Sequence, residues 1–170
     1  QYVDIDDALE SYNVKADASI EMIKVGAEYS ETELDATPSS DLSTAKAYIS
    51  GKAGIVSASL SYAKTGDQGS GSIDQAAETA SEWLLWQLGT FGKMDMDVVA
   101  VDASVAITPA ISLRAAYADA EVGSVDHKET LGQISYKMSK NLNTYVRYSE
   151  YEVGSADSVD RARLEVKYTF

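Results

Sequence analysis

The sequence predicts an all-β fold: an antiparallel transmembrane β-barrel of about nine strands that makes up half of a larger barrel. Three observations predict it. A seven-residue alternating segment returns four times, as IKVGAEY ending at Tyr29, VSASLSY at Tyr62, ISLRAAY at Tyr117 and LNTYVRY at Tyr148. One parity of the alternating segments is free of charge through its central band, over roughly forty positions, although 24% of the chain is charged. Short connections alternate with long acidic ones rich in Gly, Ser and Asp.

Period two with unlike faces marks a strand, and each copy of the repeat follows another alternating stretch and a short turn, so the unit is a hairpin. The first strand covers Tyr12 to Ile20, with Tyr12, Val14, Ala16, Ala18 and Ile20 on one face, and the second runs from Ile23 to Thr32. The third, Ser43 to Ser50, turns at Gly51 to Gly54 into the fourth, Ile55 to Lys64. Val99, Val101, Ala103, Val105 and Ile107 line one face of the fifth, Asp97 to Ile107; a Thr108–Pro109 turn leads to the sixth, Ile111 to Ala120. The seventh, Glu129 to Met138, turns at Ser139 to Asn141 into the eighth, Leu142 to Glu152, and the ninth is Asp160 to Phe170. The long connections are then Glu31 to Leu42, Thr65 to Met96, Glu121 to Lys128 and Val153 to Val159.

Short turns on one rim and long loops on the other is the arrangement of an outer-membrane barrel, with the short rim periplasmic. Tyr29, Tyr62, Tyr117 and Tyr148 then stand at one height near the upper end of the ascending strands, an arc of an aromatic girdle at the headgroup layer. The parity opposite the uncharged one carries Lys15, Asp17, Lys24, Glu28, Lys46, Asp102, Arg114, Lys137, Arg147, Arg161, Arg163, Glu165 and Lys167, as a water-filled lumen requires.

Composition narrows the alternatives. Fourteen basic against 27 acidic residues give a net charge of −13, which leaves no basic face for nucleic acid. There is no cysteine, so disulfides and thiolate chemistry are excluded. The longest uncharged run, Ala103 to Leu113, includes Pro109 and is far shorter than the roughly 18 residues of a membrane helix. No basic or apolar leader opens the chain at Gln1, which implies a mature, trimmed or partial chain. A soluble β-sandwich binding module, and a small self-contained barrel serving as an anchor or adhesin, remain as alternatives.

The terminal stretch RARLEVKYTF alternates Ala162, Leu164, Val166, Tyr168 and Phe170. It resembles the C-terminal signal by which the outer-membrane assembly machinery recognises its barrel substrates, with Leu164, Val166, Tyr168 and Phe170 as the apolar positions. Together with TPAISLRAAY and the SEWLLWQLG loop, the chain resembles the C-terminal part of the major outer-membrane porins of the Campylobacter and related epsilonproteobacterial type. That resemblance implies a trimeric 18-stranded barrel in the bacterial outer membrane, in contact with lipid and lipopolysaccharide, that passes ions and small hydrophilic solutes by passive diffusion. Nine strands with a first strand descending from the long-loop rim read as the C-terminal half: residues 1–10 as a piece of extracellular loop, 11–170 as the barrel half, and an N-terminal half of the same porin as its partner.

Within the lumen parity, Arg114, Arg147, Arg161 and Arg163, with Lys137 and Lys167 below, form a basic ladder on one wall. Lys15, Asp17 and Asp102 are further pore-lining candidates. A cationic wall facing acidic loops sets a transverse field and a charge preference. The net acidity favours cations only if the loops outweigh this basic wall. In the long loop, Ser72 and Gln75 have capping-box spacing and Ala77, Ala80, Trp83 and Leu84 fall at helical spacing, so a short amphipathic helix is expected within 65–96, folded inward or packed on the rim. Trp83 and Trp86 are expected to serve packing. The glycines Gly66, Gly69 and Gly71 lack the GK[ST] of a phosphate loop. No cofactor is expected; calcium is a weaker candidate at Asp4, Asp6 and Asp7, whose spacing lacks the EF-hand glycine and distal glutamate. Asp126 and His127 are adjacent in sequence and therefore on opposite faces of any strand, so no catalytic pair is expected and the chain is not an enzyme.

Overall fold

The computed structural model describes residues 2–5, 8–35, 40–70 and 85–170. They form a single ten-stranded antiparallel sheet in which every strand pairs with its sequence neighbours. The strands are β1 (Tyr2–Ile5), β2 (Leu9–Ile20), β3 (Ile23–Leu34), β4 (Ser40–Ala53), β5 (Val56–Thr65), β6 (Met96–Ala106), β7 (Ile111–Val122), β8 (Val125–Lys137), β9 (Leu142–Val153) and β10 (Val159–Tyr168). Nine of the ten coincide with the segments expected from alternation, most of them longer by one to four residues at an end. Strands β2 to β10, of 10 to 14 residues, meet or exceed the roughly 9–11 needed to cross a bilayer, so the ends of the longer ones stand clear of it.

The extra strand corrects the reading of residues 1–10 as loop. In β1, Tyr2 pairs with Tyr12 and Ile5 with Leu9, so this segment climbs beside the upper half of β2. Four residues flanked by Asp6 and Asp7 are too short and too charged to register as a strand by pattern.

A second correction concerns the connection expected from Glu121 to Lys128. β7 and β8 continue to a two-residue hairpin at Gly123 and Ser124, closed by the Val122–Val125 pair. Gly123 has φ of 61°, the left-handed conformation that a primed hairpin turn needs at its first central position. Glu121 and Asp126 face each other across the ladder, as do Asp119 and Lys128. Their charge suggested a loop, but they are the outward-facing residues of strand ends. The upper connections at 35–39, 66–95 and 154–158 are longer than the lower ones at 21–22, 54–55, 107–110 and 138–141.

The faces separate as the alternation demands. Val101, Leu113 and Leu164 are 46%, 39% and 70% exposed on the convex face, and no second sheet or helix among the described residues covers them. This removes the sandwich. On the concave face, residues 85–96 run along the upper wall and enclose the main apolar cluster: Leu88 and Met96 against Ala63, Val98, Ala100, Ala118 and Ala120, with Leu85, Val122 and Tyr151 at its edge. Alanines at consecutive inward positions of β7 (Ala116, Ala118 and Ala120), with Ala100 opposite Ala118 on β6, leave the depth in which the segment lies. Full burial of Leu88 and Met96 contributes about 1.5–3 kcal/mol each. The upper inner wall, expected to be wet and charged, is therefore packed on β5 to β8. No helix occurs in the described parts of 65–96; Ser72, Gln75, Ala77, Ala80, Trp83 and Leu84 lie outside the described residues.

Candidate functional site

Directly opposed residues in neighbouring strands stand about 5 Å apart and share a face, so an inward residue on each strand builds a row across the wall. One such row runs through Lys52, Ser57, Ser104, Arg114, Gln133, Arg147 and Arg163. Ser57 and Ser104 share a hydrogen bond of 2.8 Å. Arg114 donates from Nε and Nη2 to Asp102 Oδ2, each at 2.5 Å. Arg147 donates from Nε to Gln133 Oε1 at 2.7 Å, and Gln133 donates in turn to Ser135 at 2.8 Å. Arg163 lies 2.6 Å from Glu165, which also accepts from Tyr145 at 3.0 Å. Arg161 stands one layer higher, opposite Ser149. Lys137 and Lys167 occupy a lower row on either side of Asn143.

The charges in this row are not equivalent. Arg114 and Arg163 each have a carboxylate partner, whereas Arg147 and Arg161 have none within salt-bridge distance among the described residues. Both place their guanidinium carbon over the Trp86 ring, at 5.5 and 5.0 Å from its centre, and Arg147 also lies 4.9 Å from the centre of the Tyr145 ring. Cation–π contact holds a charge in place without neutralising it. Trp86 thus orders two uncompensated cations on the inner wall, a role beyond the packing expected of it.

Trp86 is delivered by the inward segment. Three successive backbone amides converge on Glu129 of β8: Trp86 N–H donates to Oε1 at 3.0 Å, and Gln87 and Leu88 N–H donate to Oε2 at 2.9 and 2.7 Å. Ser149 Oγ donates to Oε1 at 2.5 Å. Gln87 Nε2 donates to Ser149 Oγ at 3.2 Å and to the Val159 carbonyl at 3.3 Å. Glu129 is 0% exposed. Sequence reasoning missed it, although it shares the inward parity of Leu131 and Gln133 and is a lone carboxylate facing a patch of alanines.

The other flank of the wall carries Lys15, Asp17 and Lys24. Asp17 lies 4.0 Å from Lys15 and 3.8 Å from Lys24, and accepts from Tyr48 Oη at 2.5 Å. Tyr48 is on β4, two strands from Asp17, and its ring crosses over Gly26 of β3. Lys24 Nζ sits 5.3 Å from the same ring. Higher up, Asn13 donates to Glu28 Oε1 at 2.7 Å, and Glu28 faces Lys46 across the ladder.

An aqueous-type inner wall, an apolar outer face and a meander of antiparallel strands are the attributes of a membrane barrel wall. A profile of Gram-negative porins matches residues 3–156. The chain belongs to the Gram-negative porin family. Its place is the bacterial outer membrane. Among solved structures, this porin chain is similar to Pseudomonas aeruginosa OpdK, with 14% identity over 98% of this chain and 51% of that one and a TM-score of 0.77. Pseudomonas aeruginosa OccK3 (OpdO) is similar at 16% identity, covering 95% of this chain and 49% of that one with a TM-score of 0.74. Acinetobacter baumannii OccAB4 is similar at 12% identity, 98% and 47% coverage and a TM-score of 0.74. The chain spans about half the length of each. No curated protein matches the sequence.

On the porin's outer face, Tyr29, Tyr62, Tyr117 and Tyr148 all point outward and are exposed. Tyr29 donates to Glu31 at 2.5 Å, as does Tyr12 at 2.8 Å; Tyr62 donates to Asp97, and Tyr117 to Asp119 at 3.0 Å. Glu31 stands directly opposite Tyr12, and Glu31, Asp97 and Asp119 sit one layer above Tyr29, Tyr62 and Tyr117, where strands leave the apolar band. Leu164, Val166 and Tyr168 alternate outward along β10, and the Tyr168 and Phe170 rings lie 6.1 Å apart. His127, expected in a loop, is a strand residue on the inner face whose Nδ1 is 2.6 Å from Tyr151 Oη, while Asp126 points outward. The family consists of channels, not enzymes. Asp4 lies in β1; Asp6 and Asp7 lie outside the described residues. No group of three acidic or histidine side chains converges among the described residues.

Proposed function

We propose that the chain is one half of an outer-membrane diffusion pore that passes ions and small hydrophilic solutes passively, with charge preference set on the wall of β6 to β10. The observation that carries this is the inner row of Arg114, Gln133, Arg147 and Arg163, with Arg161 above it and Trp86 ordering two guanidinium groups. Fixed cations beside a water-filled path hold anions and orient dipolar solutes, while apolar solutes find no replacement for hydration.

The sheet is open. Among the described residues, the outer edges of β1, of the lower part of β2 and of β10 have no strand partner, and unpaired backbone groups are costly in lipid. Further strands from the N-terminal half of the same porin close it, giving the 18-stranded trimer implied by the resemblance to Campylobacter-type porins. The apolar positions Leu164, Val166, Tyr168 and Phe170 serve as the assembly signal.

Recording from the whole protein in a planar bilayer tests this. Stepwise ohmic conductance is expected, and Arg147→Ala with Arg161→Ala should shift the reversal potential in a salt gradient toward cations. Silence across repeated insertions, or an unmoved reversal potential, contradicts it. A second reading, a channel selective for small aromatic carboxylates, is favoured by Trp86 between two arginines. OpdK, similar at 15% identity and a TM-score of 0.76, was solved with vanillate. Vanillate added to the same recording should interrupt the current if this narrower reading holds.

A further inference from the structure

We propose that Glu129 is a positioning residue: it fixes the inward segment at 86–88 and thereby sets both the clear width of the pore and the place of Trp86. The inference rests on the channel reading above. A carboxylate taken out of water must have its oxygens satisfied, or it is strongly destabilising. Glu129 is fully buried and no cation is within salt-bridge distance of it among the described residues. Its two oxygens accept four hydrogen bonds, three of them from consecutive backbone amides of one segment. Such a concave run of N–H groups is a nest for an anion. Here the anion belongs to the wall.

The two sides depend on one another. With the segment docked, Trp86, Gln87 and Leu88 have their amides paired and Glu129 is satisfied; with it lifted, only Ser149 remains to Glu129. Gln87 extends the connection sideways, to Ser149 on β9 and the Val159 carbonyl at the start of β10. The docked geometry puts the Trp86 ring against Arg147 and Arg161, so Glu129 acts on the arginine row without touching a solute. Leu88 burial adds affinity, but apolar contact has no direction; the amide fan defines which backbone atoms meet the wall.

The test uses the whole porin, with Glu129→Gln beside Thr130→Ala, an outward neighbour on the same strand. An amide in place of the carboxylate presents N–H groups to at least one backbone N–H and cannot satisfy the fan. Glu129→Gln is expected to raise and destabilise single-channel conductance, to lower anion preference, and to speed proteolysis within 85–95 at least about tenfold, as loss of charge-assisted hydrogen bonds implies. Thr130→Ala should match wild type. Unchanged conductance and protection in a folded Glu129→Gln porin would overturn the inference. Should that variant fail to assemble, hydrogen exchange on the wild type decides: amides of Trp86, Gln87 and Leu88 protected like strand amides are expected, and exchange at loop rates overturns it. A silent wild type would instead count against the channel reading, and exchange still reports on Glu129.

Discussion

Gly26 shows how a single missing side chain organises the wall. It lies between Asp17 on β2 and Tyr48 on β4 in one inward row, and a β-carbon there would fall inside contact distance of the Asp17 carboxylate and the Tyr48 ring. The tyrosine reaches over the empty position to donate to Asp17. Gly26→Ala therefore has to displace that ring, at a cost of about 1–3 kcal/mol. Urea or heat unfolding of the detergent-solubilised porin should register it as a lowered midpoint; an unchanged midpoint would mean the ring does not cross there. At this scale the sequence was partly legible. Arg114, Arg147, Arg161 and Arg163 could be assigned to the inner wall because parity is a local property. Glu129 and the second duty of Trp86 could not: the partners of Glu129 are 20 to 43 residues away, three of the four on a segment without periodicity, and the arginines beside Trp86 lie farther still along the chain.

Among elements, the strands divide labour between their faces, and substitution should expose the division. Val101 is on the convex face of β6, with Tyr117 and Leu60 as its cross-strand neighbours. Ser104, three residues on, points to the inner row. Val101→Arg should destabilise the folded porin in lipid by about 2–4 kcal/mol, while a lumen charge such as Ser104→Arg should cost far less and change current instead. Equal losses measured by reversible unfolding in lipid would remove the distinction. Strand positions were legible because each has a period of two and a flanking turn. The β7–β8 hairpin was misread because Glu121, Asp126 and Lys128 are strand-end residues above the apolar band, where charge is tolerated facing outward. β1 was missed because four residues cannot display a period, and its pairing with β2 supplies the strand. The segment at 85–96 was foreseen only as a loop with an inward option; its path follows from tertiary packing of Leu88 and Met96, which propensity does not encode.

At the scale of the molecule, the described residues form a curved single layer, and the main enclosed apolar packing among them lies between wall and inward segment. A soluble protein would hide Val101, Leu113, Leu164 and Val166 from water; here they form the convex surface, and lipid takes the place of a second layer. That assignment decides which face meets lipid and which faces the lumen. The chain has no cysteine, so single labels can be placed without background from it. The most direct test attaches a nitroxide in turn at Val101→Cys, Leu113→Cys and Leu164→Cys, and at Ser104→Cys and Gln133→Cys, in the whole porin reconstituted in bilayers. The first three should be relaxed by oxygen dissolved in the lipid and the last two by a water-soluble nickel complex. Loss of that alternation, or its reversal, would contradict the account.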